Sequence, residues 1–157
     1  MNSKGKKGWK GSAIFIVLLF LLFFRIPVIE IAGENQTLYI KEKEFKIGWI
    51  HSVEKEEWFE IYERRKNELV LTDTYFKTFG AGTPYFEKTV VTENGFVRMK
   101  IDQHFPSLTI TVSENVKTSV FIEDRQIPLY EYFADYETVT IRIDYLPIWR
   151  YMGVTFI

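Results

Sequence analysis

Over most of the chain, apolar and polar positions alternate one for one. Leu108-Thr109-Ile110-Thr111-Val112-Ser113 and Val139-Thr140-Ile141-Arg142-Ile143-Asp144-Tyr145 keep the alternation unbroken, and Val97, Met99 and Ile101 interleave with Arg98 and Lys100. A period of two marks a strand with one face buried. The same reading predicts strands over 37–40, 45–53, 58–65, 68–78, 119–122 and 153–156. Turn chemistry separates them at "KNE", "GAGTP", "TENG", "HFPS" and "SENVK". After residue 36 no amphipathic helix longer than two turns is expected, and "PLYEYFADY" offers one short turn. The pattern predicts an all-β fold, a small sandwich or barrel-like domain of about eight or nine short strands.

The N-terminal part breaks this rhythm. Ala13 to Phe24 reads "AIFIVLLFLLFF", an unbroken apolar run behind Lys4, Lys6, Lys7 and Lys10. A basic start followed by such a run is the plan of a secretory signal. Cleavage after Ala32 would put Glu30 where a small residue is wanted. An uncleaved signal-anchor over 13–32 is therefore preferred, since about 20 helical residues reach across the hydrocarbon core. The organisation expected is a basic cytoplasmic tail (1–12), a transmembrane segment (13–32) and an extracytoplasmic β domain (33–157), oriented by the lysines. The alternative is secretion after cleavage.

Composition narrows the chemistry. There is no cysteine among the 157 residues, which removes disulfides, thiolate metal sites and a thiol nucleophile. His51 and His104 are the only histidines, so one chain has no three-His zinc site. From residue 33 onward fifteen Lys/Arg stand against twenty Asp/Glu, a formal charge of −5. Such a domain repels phosphate backbones, and no nucleic-acid partner is expected. Aromatic residues make up 17% and suit strand faces.

The stretch "KIGWIHSVEKEEWFEIYERR" concentrates candidate chemistry. If its strands pair across a loop at 54–57, Val53 faces Trp58, His51 faces Glu60 and Trp49 faces Tyr62, all on one face. A two-residue turn at Lys66-Asn67 then sets Asp73 opposite Glu60, giving a His51, Glu60, Asp73 row. Such a row suits a metal cation, or a carboxylate orienting a histidine base. The bland reading is a hydrogen-bonded pair among aromatics, and a register slip of one residue dismantles the row. Ser52 points away from His51, so no Ser–His dyad is expected and the domain is read as non-enzymatic. In "TFGAGTPYF", Gly80 and Gly82 suit a glycine turn or an anion-binding nest, but no nucleotide fingerprint is present. His104, before Phe105-Pro106, reads as a turn residue.

Taken together, "HSVEK" at 51–55, Trp58, Glu60 and "FGAG" at 79–82 resemble a bacterial domain-of-unknown-function family. Its members are small exported or membrane-anchored proteins, often encoded beside permeases of TAXI-type TRAP transporters. The shared positions are His51, Ser52, Glu54, Trp58, Glu60, Gly80 and Gly82, which the resemblance implies are retained either as binding or docking residues or for the hairpin and turn themselves. Many members carry Met after the second glycine, where this chain has Thr83-Pro84. The resemblance implies a place near transport and no chemistry; with the anchor and the acidic β domain, the expectation is a membrane-anchored accessory without a cofactor, meeting a permease or its solute-binding protein. The alternative is an extracytoplasmic binding module for a metal ion or small organic solute. The docking reading predicts exposed aromatics near Trp49, Trp58 or Tyr85.

Overall fold

A computed structural model describes residues 6–80 and 90–157. Among these residues helix α1 (Lys6–Phe23) leads into eleven strands in two antiparallel sheets. Strands β1 (Arg25–Ala32), β2 (Thr37–Ile40), β8 (Ser107–Thr111) and β11 (Thr138–Pro147) make a four-stranded sheet ordered β2-β1-β11-β8. The seven-stranded sheet is ordered β10-β9-β3-β4-β5-β7-β6. It contains β3 (Glu44–Ile50), β4 (Glu57–Arg65), β5 (Glu68–Phe76), β6 (Val90–Glu93), β7 (Phe96–Phe105), β9 (Ser119–Ile122) and β10 (Arg125–Pro128). A one-turn α2 (Ile148–Tyr151) follows β11. The expected all-β, sandwich-like architecture is present.

The core lies where the inner faces meet. Ile29 and Ile31 of β1, Val139 and Ile141 of β11 and Leu108 of β8 pack with Phe45, Ile47, Tyr62, Leu69, Val120 and Ile122 of the larger sheet. Period-two positions from both sheets fill this layer, as packed antiparallel sheets require.

The N-terminal boundary differs from the expected one. The helix stops at Phe23, and residues 25–32, expected to complete a span, form β1 in full register with β11 from Arg25↔Pro147 to Ala32↔Thr140. No helix of the described residues is long and apolar enough to cross a membrane. The reason for the difference is that β1 is covered on both faces. Ile29 and Ile31 face the core, while Val28 joins Tyr39 and Leu146 beneath Tyr151, Val154 and Phe156. A strand buried on both sides reads as a continuous apolar run, which periodicity alone does not separate from a helix. Glu30, which interrupts that run, is buried and accepts from Arg142 Nη2 at 2.7 Å, directly across the strand pair.

Two smaller expectations also change. The 153–156 strand is a single bridge, Tyr39↔Phe156, beside a turn. His104 lies within β7, with its Nδ1 2.8 Å from Glu68 Oε2, and is not a turn residue. Gly82, Thr83-Pro84 and Tyr85 lie outside the described residues, and the proposed nest lies there with them.

Candidate functional site: a locked hairpin loop

The β3–β4 hairpin closes earlier than the sequence suggests. Trp49 pairs with Trp58, Ile47 with Glu60 and Phe45 with Tyr62. The His51 amide donates to Glu56 O at 2.7 Å, and the Lys55 amide donates to His51 O at 2.9 Å. The loop proper is thus Ser52–Glu54 plus Lys55, whose φ of 58° makes the reversal. Relative to the expected register every partner slides by an even number of residues, so the faces are conserved although the pairs are not. Ring stacking favours the observed register: Trp49 on Trp58 at 5.8 Å and Phe45 on Tyr62 at 5.5 Å between centroids.

The His51, Glu60, Asp73 row does not form. The turn at Lys66-Asn67 is as expected, with Arg65 opposite Glu68, but a β-bulge at Thr72 shifts the register. Glu60 then faces Thr74, and Asp73 faces Ile61. One inserted residue turns all side chains beyond it to the other face. Asp73 there accepts from Arg98 Nε at 2.7 Å. Among the described residues no group of three His, Asp or Glu side chains is placed to hold a metal ion.

Four of the motif positions do converge. The imidazole of His51 stacks on Trp58 at 5.6 Å, and its Nδ1 meets Glu54 Oε2. The Val53 and Glu54 amides also point at that nitrogen, but from 3.4 and 3.5 Å, where a hydrogen bond is weak. The nearest partner of Nδ1 is the Glu54 carboxylate. Gly80 lies against the other side of the same carboxyl, where an added Cβ would sit 2.8 Å from Glu54 Cδ. Trp58 is anchored from below, stacking on Phe76 at 5.1 Å and donating from Nε1 to Thr74 Oγ1 at 3.0 Å.

Residues after β5, for which the sequence carries no local signal, complete the lock. Thr78 Oγ1 donates to Glu56 Oε2 at 2.7 Å and Lys77 Nζ to Glu57 Oε2 at 3.0 Å. The acidic loop that read as a possible catalytic cluster is thus tied, acid by acid, to His51, Thr78 and Lys77. The cleft that His51, Glu54, Trp58, Phe76 and Gly80 line leaves about 10 Å³ for solvent, room for about one water.

Two motif positions stand apart. Ser52 is exposed on the loop. Glu60 lies deeper on the same sheet face and accepts from Tyr62 Oη at 2.6 Å. Burial raises the Glu60 pKa above its ordinary value, the Tyr62 hydrogen bond opposing only part of the rise. Burial raises the Tyr62 phenol as well, helped by the neighbouring carboxylate. Beside the hairpin, Trp49 is part-buried, and the exposed aromatic is Phe79, which packs on Phe76 next to Trp58. Trp58 is 7% exposed, whereas Phe79 is 64% and Val53 69% exposed. At the far end of the domain Trp149 and Met152 are similarly open.

No curated protein and no solved structure matches the chain. One family model does, from Phe45 in β3 to Leu129 just after β10, and it encloses the whole locked loop. Because that model, described as a domain of unknown function (DUF1850), matches residues 45–129, more than half of the 157 residues, the chain belongs to this family.

Proposed function

We propose that this chain is a non-enzymatic, membrane-anchored accessory domain that docks a transport component through the β3–β4 loop. The observation that carries the reading is how the motif side chains are used. His51, Glu54, Trp58 and Gly80 are spent on one another, with space for about one water, beside two apolar side chains that face solvent, Val53 in the loop and Phe79 in the segment after β5. A rigid loop with apolar residues outward suits recognition, because little conformational entropy is left to lose on binding. A reaction chamber would need room for a substrate.

Membrane attachment is supported by α1, where Ile14, Phe15, Ile16, Val17, Phe20, Leu22 and Phe23 are all exposed. Apolar surface of that extent is costly in water. The apolar part of α1 is shorter than a bilayer core, so it is read as an anchor that enters the membrane, with Trp149 and Met152 at the interface beside it. The resemblance supplies the partner, a TRAP-type permease or its solute-binding protein, and the extracytoplasmic placement.

Crosslinking of tagged full-length protein in its native membrane, with mass spectrometry of the captured chains, tests the reading. Wild type should capture a permease or solute-binding protein, and Val53→Lys with Phe79→Ser should lose it while the fold persists. Capture that is indifferent to both substitutions rejects the loop as the docking edge.

A further inference from the structure

A second cavity, separate from the loop cleft, lies between the sheets where the edge strand β8 meets β3 and β4. Ile47, Trp49, Ile110, Val116 and Thr118 line it with Glu60, and it offers about 310 Å³ while opening to solvent on one side. That volume is at the lower end for small-molecule sites. Among the described residues its walls are apolar apart from hydroxyls and the Glu60 carboxyl group.

The carboxyl group is poorly placed for stability alone. It is part-buried, it accepts one hydrogen bond from Tyr62, and among the described residues no lysine or arginine compensates it. Elsewhere the chain pairs its buried acids, Glu30 with Arg142 and Asp73 with Arg98. A buried carboxylate without a cation costs free energy unless something from outside supplies the charge. A hydrated inorganic cation is a poor fit, since one carboxylate and a few hydroxyls do not replace its oxygen shell. An ammonium group on a hydrocarbon skeleton suits every wall. It neutralises Glu60, its alkyl part meets Ile47, Ile110 and Val116, and the Trp49 side chain lines the same cavity.

We propose that the Glu60 cavity binds a small organic ammonium ion, a protonated amine on a compact apolar skeleton. The proposal is independent of the docking reading, because the cavity and the loop cleft share none of their lining residues. Thermal unfolding of the full-length protein in detergent tests it, with methylammonium to hexylammonium and tetramethylammonium as probes. The corresponding alcohols and sodium chloride serve as neutral and ionic controls.

The expected result is a dose-dependent rise in Tm with at least one ammonium probe, and none with its alcohol or with salt. Glu60→Gln keeps an acceptor for Tyr62 and should weaken the response by about tenfold or more. Val116→Phe fills the cavity without touching the carboxyl and should abolish the response, which keeps the test open if Glu60→Gln does not fold. No shift with any ammonium probe overturns the proposal. An equal shift with the alcohols, or a response that survives both substitutions, overturns it as well.

Discussion

Gly80 has no room for a side chain because the Glu54 carboxyl stands where a Cβ would be. Glu54 is in turn held by His51, so the collision is not relieved by a simple swing of the glutamate. Gly80→Ala should therefore destabilise the domain by about 1–3 kcal/mol. In a Glu54→Ala background the obstacle is gone, and the same substitution should cost much less. Urea unfolding of the four variants of this cycle measures the coupling, and equal costs in both backgrounds would show that the carboxyl is not the obstacle. At Glu60 the argument concerns charge. Its folded-state pKa is raised, so the folded chain holds that proton more tightly than the unfolded chain does. Stability from this group is then lost as pH rises from the ordinary value of 4.5 through the raised one, and the penalty is complete above it. Glu63 acts in the opposite direction, its pKa lowered by hydrogen bonds from Lys43 and Arg65, and it is common to both proteins being compared. Glu60→Gln should melt above wild type near neutral pH, with the difference shrinking as pH falls towards 4.5. A difference that does not change with pH contradicts the assignment.

At the scale of elements, β1 links the legible part of the sequence to the illegible part. The alternating strands β8 and β11 are readable because each alternates through a half-buried sheet. β1 is not, because Val28, Ile29 and Ile31 are all fully buried, on both faces of their sheet. The consequence is testable. Deleting residues 1–24 should leave a cooperatively folding domain, whereas deleting 1–32 removes the strand between β2 and β11 and should abolish the unfolding transition in circular dichroism. Signal cleavage after Ala32 would have the same effect, which weighs against a secreted form made that way. The hairpin was legible to a different depth. Alternation assigned His51, Trp58 and Glu60 to one face, and an even register shift left that assignment intact. The pairing itself depends on ring stacking and on a reversal at Lys55, neither of which has a sequence signature of its own. The Thr72 bulge is likewise silent, and it alone separates Asp73 from Glu60. Glu54 and Gly80 meet across more than twenty residues of chain, so only their joint presence in a family motif linked them.

For the whole molecule, the two ends of β4 set the geometry. At its Arg65 end the Lys66-Asn67 turn touches Tyr145, whose hydroxyl meets Asn67 Oδ1 and whose carbonyl accepts from Arg25 at 3.2 Å. Arg25 opens β1 directly after α1, and α1 also touches α2 and the end of β11. The turn therefore lies at the root of the proposed anchor, together with Trp149 and Met152. At the Glu57 end stands the locked loop, the length of a nine-residue strand away, about 30 Å at ~3.3 Å per residue. If α1 enters the bilayer, Trp149 lies at the interface that tryptophan favours, and Val53 and Phe79 are held well clear of the headgroups, within reach of a soluble partner. The chain has no cysteine, so single labels are introduced without background. Spin labels at Met152→Cys and Val53→Cys, both on exposed positions, report depth through their accessibility to oxygen and to a water-soluble nickel chelate. In reconstituted bilayers the label at 152 should favour oxygen, and the label at 53 should be fully accessible to the chelate. Equal water exposure at both sites would leave the domain untethered to the surface, and burial at 53 would invert the orientation and make the loop a lipid contact.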